Sequence, residues 1–137
     1  MGVMDITIHA SFLPQNDPDA ALAFYRDSLG MTLANRVDKD GFSWITLTTD
    51  AQPEISIVLS QPHGGRSQED GDALATLLAK GALPMLQVRV SDLTATFDKL
   101  AATPGVEVLQ EPDDRFWGVR DAAVRDPAGN MIRVAQA

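Results

Sequence analysis

The chain has no cysteine, only two histidines, and fewer basic than acidic residues. Without cysteine it has no disulfides, no thiolate nucleophile and no cysteine-ligated zinc site. His9, His63 and the carboxylates are then the remaining side chains that commonly bind metal ions. The 11 Lys and Arg residues are scattered among 19 Asp and Glu residues, and the formal net charge is −8. We therefore expect no nucleic-acid partner, because binding a phosphate backbone requires a basic stripe.

Long hydrophobic runs are also missing. No segment approaches the roughly 20 apolar residues that a membrane span requires, and the N-terminus alternates polar and apolar residues, which does not resemble a signal peptide. We therefore expect no membrane partner and a cytoplasmic location. A length of 137 residues predicts one domain, 1–137, with a real core.

The sequence contains segments in which polar and apolar residues alternate, as in strands, and between them segments whose apolar residues have the spacing of a helix. The stretch "MDITIHASF" (4–12) alternates as a half-buried strand. Asp17 as N-cap and Pro18 at the first helical position predict a helix that ends at Gly30. Three strands are then predicted, near 31–37, 42–48 and 54–60.

The second half repeats this order. It has a strand "MLQVRV", a helix opening at Asp92, and strands near 106–110, 118–125 and 130–135. Asp17 and Asp92 lie 75 residues apart, and the same separation pairs Gly30 with Gly105. Because several positions match in a shared β-α-β-β-β order, we predict an internal duplication. The organisation is module one at 4–60, a linker at 61–83 with a short helix over 72–80, and module two at 84–136.

Two motifs connect this pattern to a known family. The duplicated module, with "LAFYRDSLG" closing its first helix and "DPAGNMIRV" forming its last turn and strand, resembles the vicinal oxygen chelate superfamily of glyoxalase, bleomycin-resistance and dioxygenase types. The resemblance implies an α+β fold in which two tandem βαβββ modules form a curved, cup-shaped mixed sheet. It also implies a small-molecule ligand in the cup and a homodimer, and it fixes no particular reaction.

Members of this family place four metal positions on the first and last strands of the two modules. On the first strand, the ungapped separation pairs Met85 with Ala10, whereas face parity favours a one-residue bulge near Pro14 that pairs Met85 with His9. With the bulge, the four positions are His9, Val58, Met85 and Arg133. One histidine beside a fixed cation is a poor ligand set for a divalent metal, so we expect neither a metal nor another cofactor.

The same parity predicts a lining that mixes aromatic, hydroxyl, amide and guanidinium groups, as small-molecule pockets commonly do. Planar compounds would stack on its aromatic side chains, and the separation of 75 residues also pairs Trp117 with Phe42. The predicted ligand-binding residues are His9, Trp44, Thr46, Ser56, Met85, Gln87, Arg89, Trp117 and Arg133.

Three functions remain open at this point. The first is metal-free capture of a planar organic compound, as in resistance-type relatives. The second is a lyase or dioxygenase-type enzyme, with His9 as general base or with a divalent metal bound through Glu54, Glu107 or Glu111. The third is a structural or regulatory dimer with an empty cup. Each candidate also has a structural interpretation, in which Trp117 packs and Arg133 pairs with an acidic residue.

Overall fold

A computed structural model of the chain describes residues 5–137. Its first half contains one helix and four strands, and the helix continues without a break into a π-helical segment, Ala23–Ser28. In chain order the first-half elements are β1 (Ala10–Pro14), α1 (Pro18–Leu22), β2 (Thr32–Lys39), β3 (Phe42–Thr48) and β4 (Ser56–Ser60). The connection contains α2 (Gln68–Ala79), and the second half consists of β5 (Leu86–Val90), α3 (Leu93–Ala101), β6 (Glu107–Asp114), β7 (Arg120–Arg125) and β8 (Met131–Gln136).

The strands form two four-stranded sheets of identical topology, ordered β1-β4-β3-β2 and β5-β8-β7-β6. In each sheet the first and last strands of the module pair in parallel, and the other neighbours are antiparallel. This arrangement confirms the predicted α+β fold with two tandem modules.

The predicted helix starts are confirmed because their signals are local. The Asp17 carboxylate accepts hydrogen bonds from two backbone N–H groups of the first turn, and Pro18 follows it. Asp92 caps α3 in the same way. Such caps satisfy donors that the helix itself cannot. The connecting helix α2 starts earlier than expected, at Gln68, because Ser67 provides the cap.

One hydrophobic cluster joins the two modules. It contains side chains from both sheets and from both module helices, with Phe24 and Tyr25 fully buried in the π-helical segment. Burying a side chain of this size contributes roughly 1.5–3 kcal/mol, so helix packing fixes both sheets against a common core. Each sheet thus has a core face and a second face turned away from the core, which we call its open face.

The register of β1 corrects the sequence analysis. The strand begins at Ala10 rather than near residue 4, and Met4 lies outside the described residues. Its pairing with β4 is continuous from Ala10 to Pro14, so the expected bulge near Pro14 is absent. Leu13 packs against the core, whereas Phe12 lies on the open face and is 61% exposed. The ungapped separation of 75 residues is therefore correct, and Met85 corresponds to Ala10 rather than to His9.

Candidate functional site

The open face of the second sheet carries two rows of side chains across neighbouring strands. In one row Arg133 lies between Gln87 and Ala123, and Gln110 follows Ala123 on the edge strand. In the other row Ala135 separates Arg89 from Asp121. The alanines leave room above the sheet, so that the long side chains can reach over them.

Asp121 organises this face. It is 2% exposed, and its two carboxylate oxygens accept hydrogen bonds from the Nε atoms of Arg115 and Arg133, each at 2.6 Å. Burial raises the pKa of Asp121, but the hydrogen bonds and charges of Arg133 and Arg115 outweigh burial and hold its pKa below the ordinary value. The carboxylate is thus charged at neutral pH and fixes both guanidinium groups.

Trp117 stands beside this network, in the turn between β6 and β7. The Arg133 guanidinium carbon lies 5.7 Å from the centre of the Trp117 ring, within the range of a cation–π contact. Five residues, 115–119, form this turn, whereas Asp40 and Gly41 alone join β2 to β3. The longer turn makes the predicted pairing of Trp117 with Phe42 wrong, because Phe42 lies within a strand. Trp117 is 52% exposed and available for stacking.

A cavity of about 1040 Å³ lies over this open face. A ligand of drug size requires roughly 300–1,000 Å³, so the space is sufficient. Its other wall comes from the first module, through Met31 and the segment 49–57. Of the predicted ligand-binding residues it brings together Met85, Gln87, Arg89, Trp117 and Arg133.

The remaining predicted residues lie elsewhere. Thr46 pairs with Val58 on the open face of the first sheet, where Trp44 and Ser56 also fall. The linker covers Trp44, since a Cβ added at Gly64 would lie 3.2 Å from its ring. These residues do not line the cavity over the second sheet.

His9 lies just before β1 and is exposed. Its backbone carbonyl accepts a hydrogen bond from Ser56 at 2.9 Å, and its side chain does not line the cavity. With the corrected register, the four positions that hold metal in related folds are Ala10, Val58, Met85 and Arg133.

This donor set does not fit a metal ion. Three of the four side chains are apolar or a thioether, and Arg133 is a cation. Among residues 5–137, no three His, Asp or Glu side chains are arranged so that they could hold one. Of the alternative carboxylates, Glu107 lies 3.7 Å from Arg125 in an exposed ion pair.

Sequence reasoning missed a second buried network behind the site. Tyr25 donates its hydroxyl hydrogen bond to Asp126 in the turn before β8. Asp126 also accepts bonds from the side chain of Asn130 and from three backbone N–H groups of its own turn. Burial, followed by the charge of Asp126 and its hydrogen bond, raises the pKa of Tyr25 well above the ordinary value. The first module's helix is thereby tied to the second module's last turn.

Comparison with known proteins agrees with this architecture. A family model described as the Glyoxalase/Bleomycin resistance protein/Dioxygenase superfamily matches residues 7–134. The chain belongs to this superfamily.

Individual relatives cover nearly the whole chain. The Bacillus subtilis (strain 168) protein YurT, itself uncharacterised, is 27% identical over 97% of this chain and 99% of its own length. The crystal structure of UcmS2 has a TM-score of 0.83 at 27% identity and covers 98% of this chain and 100% of that one. TnmS3, described as an antibiotic binding protein from Streptomyces sp. CB03234, has a TM-score of 0.71 at 23% identity, with 98% of both chains covered.

None of the helices within residues 5–137 has the length and apolar character that crossing a membrane would need.

Proposed function

We propose that this protein binds a small, planar organic compound on the open face of its second sheet and holds it without converting it, as a metal-free, resistance-type member of the superfamily. One observation carries the proposal. The position that would hold a metal ligand is Arg133, and Asp121 and Trp117 fix this cation in place. Such a site provides a stacking surface and hydrogen bonds, and it lacks the donors for metal-assisted chemistry.

The relatives give limited support. TnmS3 shares the fold and is an antibiotic-binding protein, which shows that a fold of this kind is compatible with capture of an organic compound.

Stacking on Trp117 can be tested by titration with three naphthalene probes: 1-naphthoate, 1-naphthalenemethanol and 1-naphthylmethylammonium. We expect at least one of them to bind, as measured by calorimetry and by a change in tryptophan fluorescence. Trp117→Ala should weaken that binding about tenfold, because stacking on an aromatic ring contributes roughly 0.5–1.5 kcal/mol beyond the area it buries. Phe116→Ala is the comparison variant and should cause a smaller loss, since Phe116 is 97% exposed, lies outside the cavity lining and makes only an edge contact with the Trp117 ring.

The mass of the recovered probe and the metal content of the protein distinguish capture from catalysis. After prolonged incubation we expect each probe to be recovered unchanged. Untagged protein exposed to manganese, iron, nickel and zinc and then desalted should contain far less than one metal ion per chain by mass spectrometry. Chemical conversion of a probe, or near-stoichiometric metal, would contradict the proposal and favour an enzyme.

We further propose that two copies associate, so that the first sheet of one faces the second sheet of the other. The open face of the first sheet carries exposed apolar side chains, with Phe12 at 61% and Val37 at 49% exposure, next to the predicted ligand residues Trp44 and Thr46. Such patches commonly mark interaction sites. Light scattering should give about twice the chain mass of 14.7 kDa. Phe12→Glu should return it to the monomer and weaken probe binding, and a monomeric wild type would contradict this arrangement.

A further inference from the structure

Resting on the proposed function, we infer that the compound bound at this site is a planar organic anion, a carboxylate or phenolate, and that Arg89 is the residue that recognises its charge. The inference concerns the ligand's charge, which the fold does not determine. It depends on which guanidinium groups around the cavity are already engaged and on the balance of charge in the lining.

Arg133 is the obvious cation of the site, but it is already paired with a carboxylate of the protein. Its Nε donates to Asp121 at 2.6 Å, a terminal nitrogen donates to Gln110, and its guanidinium carbon lies 5.7 Å from the centre of the Trp117 ring. Its side chain is only 14% exposed. A ligand anion would therefore share this guanidinium with the buried carboxylate of Asp121, which weakens its attraction for a second anion.

Arg115 is engaged in the same way. Its Nε donates to Asp121 at 2.6 Å, and a terminal nitrogen donates to the backbone carbonyls of Glu111 and Asp121, each at 3.0 Å. It is not part of the cavity lining. Arg115 therefore pairs with Asp121 from outside the cavity. Together, the three side chains Arg115, Asp121 and Arg133 carry a net charge of +1.

Arg89 differs from both of these residues. It lines the same cavity, is exposed, and has no ion-pair partner within residues 5–137. The sheet register explains why, since Ala135 lies between Arg89 and Asp121. Two strand spacings therefore separate their backbones by about 10 Å. The Arg89 guanidinium keeps its full set of donors for a carboxylate or phenolate oxygen.

The net charge of the cavity lining also favours an anionic ligand. Its charged residues are Arg89, Asp121 and Arg133, so the lining carries a net positive charge, whereas the whole chain carries −8. A positive cavity on an acidic protein attracts anions locally and selects against cations. The apolar wall from Met31, Ile55 and Ile57 provides the surface for a ring system.

The naphthalene probes share one ring system and differ in charge, so they test the inference directly. At neutral pH and low salt we expect 1-naphthoate to bind about tenfold more tightly than 1-naphthalenemethanol, because a hydrogen bond to a charged group contributes roughly 1.5–3 kcal/mol and exposure reduces it. 1-Naphthylmethylammonium should bind most weakly. Added sodium chloride should reduce the advantage of the anion and leave the alcohol unchanged.

Arg89→Gln should abolish the preference for 1-naphthoate, so that 1-naphthoate and 1-naphthalenemethanol bind the variant with about equal affinity. Arg120→Gln is the control, since it makes the same change in net charge at an exposed residue of the same sheet, on β7 and outside the cavity lining. Equal binding of all three probes, or an anion preference that survives Arg89→Gln, would overturn the inference while leaving the proposed function in place. Failure of all three to bind would instead overturn the proposed function.

Discussion

The two sheets have the same topology, but the residues on their open faces differ in chemical character. In the first sheet the face carries Phe12, Trp44 and Val58. The register places Gln87, Asp121 and Arg133 at the corresponding positions of the second sheet. At these positions one face is largely apolar and the other is polar or charged, whereas both sheets contribute hydrophobic residues to the shared core.

This difference shows which positions the fold constrains. Core-facing residues have to pack in both modules, so their character is the same in each copy. Open-face positions do not pack against the core, and there the second module has acquired buried polar groups. Each buried ion must be paired, and for that reason Asp121 has two arginine partners.

The largest effect is expected at Asp126, whose side chain accepts one hydrogen bond from Tyr25 of the first module and four from its own turn. Asp126→Ala should lower the free energy of unfolding by about 3–5 kcal/mol, since it leaves the Tyr25 hydroxyl and several buried N–H groups unpaired. Urea denaturation measures the change. Asp50→Ala, at an exposed residue in the corresponding turn of the first module, should cost less than about 0.5 kcal/mol. Similar costs for both variants would show that the two turns are equivalent after all.

Asp121 comes next, because its removal leaves two largely buried guanidinium groups without an anion. We expect Asp121→Asn to cost about 2–4 kcal/mol at neutral pH. The pKa of Asp121 is lowered in the folded state, so its contribution is present above the unfolded value of about 3.9 and is lost as pH falls through the folded pKa. The difference between wild type and variant should therefore shrink below about pH 4. A constant difference from pH 6 to pH 2 would argue against the ion pairs as its source.

The sequence predicted the architecture well and the site only in part. Helix caps and strand periodicity are local signals, so Asp17, Asp92 and the strand over 42–48 were predicted correctly. The register of β1 depends on its pairing with β4, and parity along one strand gave the wrong answer.

Contacts between residues far apart in the chain could not be predicted from local sequence patterns. Tyr25 and Asp126 lie 101 residues apart, and each reads locally as an ordinary helix or turn residue. Asp121 appeared only as one of 19 acidic residues until strand pairing placed it beside Arg133. Arg89, in contrast, lines the cavity as the alternation along β5 indicated, and its role in ligand binding stays a prediction.

A smaller effect is expected for Tyr25→Phe, which removes one of the five donors to Asp126 and keeps the buried ring. The variant should be about 1.5–2 kcal/mol less stable at neutral pH. Because the folded pKa of Tyr25 is raised, its contribution is complete below the unfolded value of about 10 and is lost as pH rises through the folded pKa. Urea denaturation of both proteins between pH 8 and pH 11.5 should show the difference narrowing above about pH 10. A gap that stays constant would mean that Tyr25 acts only through packing.

The smallest effect on stability is expected at the aromatic turn of the second module, where we expect a larger effect on probe binding. Trp117→Ala should cost less than about 1 kcal/mol, mainly the cation–π contact with Arg133, because the ring is half exposed. Trp44→Ala should cost more, since the linker packs on that ring through Gly64. Thermal unfolding of the two variants, compared with their naphthalene affinities, separates the roles. If Trp117→Ala were the more destabilising variant and bound the probes normally, Trp117 would be a packing residue. It would then not be the surface on which a ligand stacks.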